Sequence, residues 1–505
     1  MILVVDFGSQ TCHLISRRLR DLGIENIIVD PENILSEIEL HKPKGLIFSG
    51  GPASVYEKNA PTITKNVFDL GIPILGICYG WQLTSHLLGG DVKSGKKEYG
   101  PANLKINKNN SLLSNIESYS RVWVSHGDTV YSLPRGFVSL AETGDVSFAA
   151  AANLSKKIYG IQFHPEIEHT VYGVELLKNF VLKICSLKPK KYELNIKEII
   201  SSIKKEVGNG QVIGAVSGGV DSTVAATLIA KAVGKKLHPI YVESGLMRIG
   251  TKEEVIKNFK KNFGINPIIV EVKKEFLKRL KGVEDAETKR KIIGKLYIEL
   301  FEKESKKIKG VTHLMQGTIY SDVIESKGTR KADKIKSHHN VGGLPEKMNL
   351  KLIEPLRYFY KDEVRKIGKM LGLPNDVVNK QVFPGPGQAI RIIGEVTFDR
   401  LTQQQKADQI VLEEITRANF YKKVYMSFPI MTNTVSTCIK GDARKLLEVI
   451  ALRIIESKDV MSTDWAKIPY EVLQRISTRI VNEVPRVSRV VYDITTKPPA
   501  TMEWE

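Results

Sequence analysis

Residues 214–234, GAVSGGVDSTVAATLIAKAVG, constrain the fold more than any other stretch of this chain. Small and β-forming residues run into Ser217, Gly218, Gly219, Val220, Asp221 and Ser222, and an apolar-periodic helix follows. Strand, glycine turn and helix make a phosphate cradle, because backbone N–H groups at a helix N-terminus attract anions. The loop lacks the Gly-Lys-Ser/Thr of the common nucleotide-triphosphatase loop, which argues against γ-phosphoryl transfer. Asp221 is placed to hold Mg²⁺ on bound phosphates, and Ser222 is expected to cap the helix.

The same alternation organises most of the chain. At 505 residues it exceeds what one hydrophobic core supports. In residues 1–188 the apolar runs ILVVDF, NIIVD, GLIFSGG and PILGICYG alternate with helical stretches. In residues 189–385 QVIGAVSGG, LHPIYVESG, NPIIVEV and HLMQGTIYSD do the same. This predicts an α/β protein with two doubly wound, mostly parallel-sheet domains. The basic stretch SLKPKKYELN reads as the linker between them, and FPGPG at 383–387 closes the second. Residues 386–505 read as a smaller α+β domain. Its expected strands are AIRIIGEV, KKVYMSFPI and RVVYDIT; its expected helices lie in LTQQQKADQIVLEEITRA, ARKLLEVIALRIIES and PYEVLQRISTRIVNEV.

Net charge is +19, which suits nucleic acid or any anionic substrate. The lysine runs KKEFLKRLKG and EKESKKIKG read as solvated faces, and no basic motif is interleaved with aromatics. Neither nucleic acid nor membrane is therefore an expected partner. No run approaches the roughly 18 apolar residues that cross a bilayer. The start, MILVVDFGSQ, enters a strand with no basic lead-in, so no targeting segment is expected. Four cysteines without a Cys-x-x-Cys pair point to a reducing, cytoplasmic setting.

In PILGICYGWQL, Cys78 stands between a strand and a helix with Gly76 and Gly80 beside it. A nucleophile on such a turn needs small neighbours, and the helix start favours the thiolate. In GIQFHPEI, His164 and Glu166 share one face of a strand end, so His164 is placed to take the thiol proton and Glu166 to orient the ring. Gly50 and Gly51 in IFSGGP offer backbone N–H groups for an oxyanion. A lone cysteine at a strand end is more often packing. These pieces together, in this order and with WVSHGD at 123–128, resemble the triad glutamine amidotransferases. In those, the cysteine attacks the glutamine side-chain amide and releases ammonia. Trp81 stands where that family carries a smaller or thioether side chain.

Ser-Gly-Gly-x-Asp-Ser is similar to the signature of the ATP pyrophosphatases, which split ATP between its α and β phosphates. On these motifs alone the acceptor is open: a purine nucleotide, a carboxylate or a tRNA base. The phrases EDAETKRKIIG, MQGTIYSDVIES, IKSHHNVGGLPE, EPLRYFYKDEVRKIG and SRVVYDITTKPPATMEWE resemble the glutamine-hydrolysing GMP synthetases over the whole length. The resemblance implies a ligase that uses XMP, ATP, glutamine and Mg²⁺ and forms adenylyl-XMP. It implies that Asp322 and Glu325 assist adenylylation from a lid, with Lys336, His338 and His339 approaching phosphates. It puts Glu243 near adenosine, Arg391, Lys497, Thr501 and Glu503 at XMP, and the third domain in a homodimer. Glu243, Ser244, Gln381, Val382 and Gln388 depart from the family's usual residues.

Overall fold

The structure, a computed structural model, describes residues 1–9, 11–190, 194–320, 322–323, 350–440, 442–457, 463–497 and 499–505, except the side chain of residue 96. Four-residue runs such as ILVV and GLIF are apolar at every position because they become strands buried on both faces. The first sheet contains β1 (Ile2–Val5), β2 (Asn26–Val29), β3 (Gly45–Phe48), β4 (Ile74–Ile77), β5 (Asp91–Ile106), β6 (Tyr119–Ser132), β7 (Val138–Glu142), β8 (Ala150–Asn153) and β9 (Ile158–Ile161). Their order is β2-β1-β3-β4-β9-β8-β7-β5-β6. Pairings from β2 to β9 are parallel. Those from β9 out to β6 are antiparallel and add a wing to the parallel half. Alternation along β1 sends Ile2 and Val4 to one core and Leu3 and Val5 to the other, so apolar layers cover both faces.

The second sheet is parallel throughout. It comprises β10 (Gln211–Ala215), β11 (Leu237–Glu243), β12 (Ile268–Glu271), β13 (Val311–Met315) and β14 (Lys351–Ile353), ordered β12-β11-β10-β13-β14. After β10 the chain winds out to β11 and β12, then returns to β13 on the other side. The switch point lies beside β10, where ligands of open parallel sheets bind outside the carboxyl ends.

The third sheet pairs β15 (Met426–Lys440) with β16 (Ala443–Glu456), which also carries β17 (Asp464–Trp465) and, in parallel, β18 (Val487–Tyr492). Helices Phe398–Arg417 and Tyr470–Glu483 pack on it. Two sequence expectations are corrected. ARKLLEVIALRIIES is not a helix but β16, whose run from Val449 to Ile455 is buried at every position, Arg453 included, so the two-residue period of a strand is lost. AIRIIGEV is not a strand: Gly387–Arg391 is a 3₁₀ turn, and Ile392 makes a single bridge to Met431. Gly387 has φ +66° there, and an added Cβ would sit 2.3 Å from the Leu246 carbonyl oxygen.

Trp81 is fully buried with its ring against Gly160, so its departure from the family pattern is a matter of packing. A Cβ on Gly160 would fall 1.8 Å from Trp81 Cε3. Gly160→Ala should therefore destabilise the chain by about 1–3 kcal/mol, read as a lower Tm, and Trp81→Leu in the same chain should restore part of the loss.

Candidate active sites

Cys78 closes β4 and caps helix Tyr79–Leu87 at φ +49° and ψ −107°, a strained conformation for a residue with a side chain. The neighbouring glycines make it possible. A Cβ on Gly76 would lie 2.7 Å from the Gly80 oxygen, and one on Gly80 would lie 2.5 Å from the Phe48 oxygen. Cys78 N–H donates to Ile161 O at 2.8 Å, which fixes the turn against β9. The buried thiol lies 3.8 Å from Ser125 O and 3.7 Å from Gln162 Nε2. WVSHGD thus lines the thiol.

His164 Nδ1 stands 2.7 Å from Glu166 Oε1, and both side chains are buried. A Cβ on Gly50 would meet His164 Cε1 at 3.1 Å and Cys78 Cβ at 3.8 Å, so Cys78, His164, Glu166 and Gly50 come together. Gly51 is tucked behind, against Phe7 O and the Tyr79 ring. Among the described residues neither glycine amide donates to a protein acceptor, as an oxyanion donor requires. Burial opposes charging of His164, but the Glu166 carboxylate and the bond to Cys78 carry it well above the ordinary imidazole value. Burial and the nearby His164 hold His126 at about 4. Arg18, which the sequence reading missed, donates through Nε to Glu166 O at 3.1 Å.

The second site opens where β10 ends. Gly218 has φ +78°, and a Cβ there would press within 2.9 Å of Val255. Gly219, not Ser222, is the cap of helix Val220–Val233. Ser222 lies inside the first turn, so its hydroxyl turns back to donate to Gly219 O at 3.3 Å and accept from Ser217 N–H at 3.3 Å. Val220 is buried in the core. Asp221 Oδ2 accepts from Lys361 Nζ at 2.6 Å, while its buried Oδ1 has no partner among the described residues. Lys380 Nζ donates to Gly218 O at 3.1 Å and to Glu254 at 2.6 Å. Sequence reading missed both lysines; the one signal was that Lys361 sits in the family phrase YFYKDEVRKIG.

The stretch after β13 runs against this loop: a Cβ on Gly317 would lie 2.8 Å from Ser222 N. It leads to Asp322, whose Oδ2 accepts from Ile319 N–H at 3.0 Å. Glu325, Lys336, His338 and His339 lie outside the described residues. Glu243 ends β11 beside β10, and its Oε1 accepts from Gly245 N–H at 3.0 Å. Ser244, Gln381 and Gln388 are buried. Gln381 bonds Ser427 and Tyr421, and Gln388 accepts from Gln404, so these departures are met by packing partners.

The structure brings Arg391 and Glu503 together, with Thr501 bonded to the Glu503 backbone. Arg391 is fully buried and forks onto Glu503 with two bonds of 3.0 Å. Lys497 is bridged through its backbone to Thr463, and the exposed Thr501 bonds Glu503 O. Buried Arg453 donates to the carbonyls of Thr495, Thr501 and Met502 and to Asp493, so the tail is clamped. Among the described residues no group of three or more His, Cys, Asp or Glu is disposed to hold a metal.

Because His164 is raised, its pairing with Glu166 stabilises the fold at and below the ordinary imidazole range and fades as pH climbs through the raised value. In Glu166→Gln, His164 should titrate lower by ring-proton NMR. Alkylation of Cys78 at neutral pH should slow by about tenfold or more as the imidazole loses its orienting anion.

Three family profiles match the chain: glutamine amidotransferase class-I over residues 3–184, NAD synthase over 192–295, and GMP synthase C terminal domain over 413–504. GMP synthase [glutamine-hydrolyzing] of Aquifex aeolicus (strain VF5) is 51% identical over 507 residues, covering 100% of this chain and 99% of that protein. The protein of the same description from Caldicellulosiruptor saccharolyticus is 50% identical with the same coverage. The solved structure of a glutamine amidotransferase from Thermotoga maritima is 24% identical over 37% of this chain and 86% of that chain, with a TM-score of 0.29. With half of its residues shared along its full length, the chain belongs to the glutamine-hydrolysing GMP synthase family.

Proposed function

We propose that this chain is a ligase that makes GMP from XMP, taking ammonia from glutamine and activation from ATP. The observation that carries the reading is that one chain holds both a strained thiol turn with a histidine–carboxylate pair and a Ser-Gly-Gly-x-Asp-Ser loop at a sheet switch point. At the first site Cys78 Sγ attacks the side-chain carbonyl carbon of glutamine. His164 takes the thiol proton and hands it to the departing ammonia, Glu166 holds the ring, and the amides of Gly50 and Gly51 receive the oxyanion. Water then releases glutamate from the thioester.

At the second site the amides and hydroxyls from Ser217 to Ser222 grip the β and γ phosphates, with Lys361 adding charge. The xanthine O2 attacks the α-phosphorus and pyrophosphate leaves; ammonia adds at C2, and AMP departs with that oxygen. When bound, Mg²⁺ neutralises phosphate charge. The unpartnered Asp221 Oδ1 suits it, since magnesium is commonly held by one or two carboxylates and the phosphates themselves. Asp322 and Glu325 assist adenylylation, Lys336, His338 and His339 approach the phosphates, and Glu243 faces adenosine. Arg391, Lys497, Thr501 and Glu503 serve XMP, and the Arg391–Glu503 pair also seats the tail.

The domains on this reading are 1–188, 189–385 and 386–505, and the last makes a homodimer. Supporting that, the register of β15 and β16 puts Val435, Ile439 and Leu446 on one face, each exposed by 62% or more. The enzyme works in the cytoplasm, a setting suited to its free cysteines.

Cys78→Ala should abolish GMP formation from glutamine while added ammonium still supports it. Asp221→Ala should stop AMP release with either nitrogen source. GMP formation from glutamine by Cys78→Ala would remove the thiol assignment. Ile439→Asp with Leu446→Asp should convert the dimer to monomer by sedimentation.

A further inference from the structure

Three buried charged residues and the partly buried Arg248, from distant parts of the chain, form one line of alternating sign. Arg248, in the loop after β11, places Nε 2.8 Å from Asp408 Oδ2 and Nη2 3.2 Å from Oδ1. Asp408 lies on the buried side of helix Phe398–Arg417, and its Oδ1 is also 3.7 Å from Arg391 Nη1. Arg391 then forks onto Glu503 in the tail. The Phe383 ring lies 4.8 Å from both guanidinium carbons, and Phe428 covers Arg391 at 3.9 Å.

The rest of the loop is held from the same direction. Gln405 Nε2 donates to Gly245 O at 3.0 Å and to Met247 O at 2.7 Å, and Gln388 N–H donates to Leu246 O at 2.8 Å. Every residue from Gly245 to Arg248 is therefore tied to the segment that seats the tail. A buried charge that loses its partner is costly, so a disturbance at one end of such a line is felt at the other.

We propose that Arg248, Asp408, Arg391 and Glu503 are a positioning network that couples the loop on the ATP side to the tail on the XMP side, so that each nucleotide strengthens the binding of the other. It rests on the reading that Lys497 and Thr501 hold XMP. The network sets the spacing between the surface that holds ATP and the surface that holds XMP.

The test is calorimetry on the full chain, titrating XMP with and without a saturating α,β-methylene analogue of ATP and Mg²⁺. In the wild type the analogue should tighten XMP about tenfold, and XMP should tighten the analogue by the same factor. Asp408→Asn and Arg248→Gln should bring that factor to within about twofold of one, while glutamine hydrolysis stays at the wild-type rate. Arg391→Lys, which keeps the charge and loses the fork, should fall between. If Asp408→Asn does not fold, Arg248→Gln, at the rim of the line, gives the same readout. A wild-type factor of one, or a full factor in folded variants, overturns the network. Lys497→Ala separates the two ideas: if it leaves XMP affinity unchanged, the tail reading fails. If it weakens XMP while the network variants keep full coupling, the network alone fails.

Discussion

Both sites hang on one constraint: at the carboxyl end of a buried parallel strand, the chain turns into a helix where a Cβ has no room. Between β4 and helix Tyr79–Leu87 the crowding falls on Gly76 and Gly80; between β10 and helix Val220–Val233 it falls on Gly218, with Gly317 pressed on from outside. The turn leaves the first amides of a helix facing outward at its positive end. At Ser217–Ser222 that field favours phosphate. The strain at Cys78, about 1–3 kcal/mol for such a backbone, is borne by strands whose every residue is buried.

What was legible in the sequence follows from this constraint. Glycines that a turn requires, a nucleophile between them and a His-x-Glu strand end are local patterns, and the structure assembles Cys78, His164, Glu166 and Gly50 as they suggest. The parallel half of the first sheet and strands β10 to β13 of the second were legible because they are short, largely apolar runs, whereas the three-residue β14 was not. The same property hid β16, since LLEVIALRII carries no period that separates strand from helix. Partners set by tertiary contact were not legible either. Lys361 reaches Asp221 from 140 positions away, Arg248 reaches Asp408 from 160, and Arg453 collects tail carbonyls that mark out no particular cation in the sequence.

The third segment is more than an appendage to the second. Its helix Phe398–Arg417 sends Gln405 and Asp408 onto the loop after β11, while Gln404 joins Gln388 and Pro429 O in its interior. Gln388 Oε1 and Gln404 Nε2 thus meet and tie the 3₁₀ turn to this helix, while Gln388 Nε2 and Gln404 Oε1 have no partner among the described residues. The fully buried Lys289 works the same way: it donates to Ile392 O at 2.7 Å and lies 3.6 Å from Glu505 Oε2, fastening the tail to a helix of the second sheet's own layer.

Ammonia in neutral water is mostly ammonium, which has no lone pair to offer an electrophile, so the surface between the two sites matters chemically. Helix Cys12–Asp21 forms that surface. Arg18 bonds the Glu166 carbonyl, Arg20 grips both oxygens of Glu363, and Arg17 pairs with Asp362, directly after the lysine that holds Asp221. Leu14, Trp123, Ile167 and Tyr360 pack together there, and Trp123 O accepts from His164 N–H at 2.9 Å. His13, whose Nδ1 meets Tyr320 OH at 2.8 Å, is lowered to about 4 by burial and is uncharged at neutral pH. Burial raises Tyr320 and Tyr360 beyond the ordinary phenol value. Arg17 and Arg20 are committed to carboxylates. His13, Tyr320 and Tyr360 thus keep their protons at neutral pH, so these three groups do not turn a weak base into its cation.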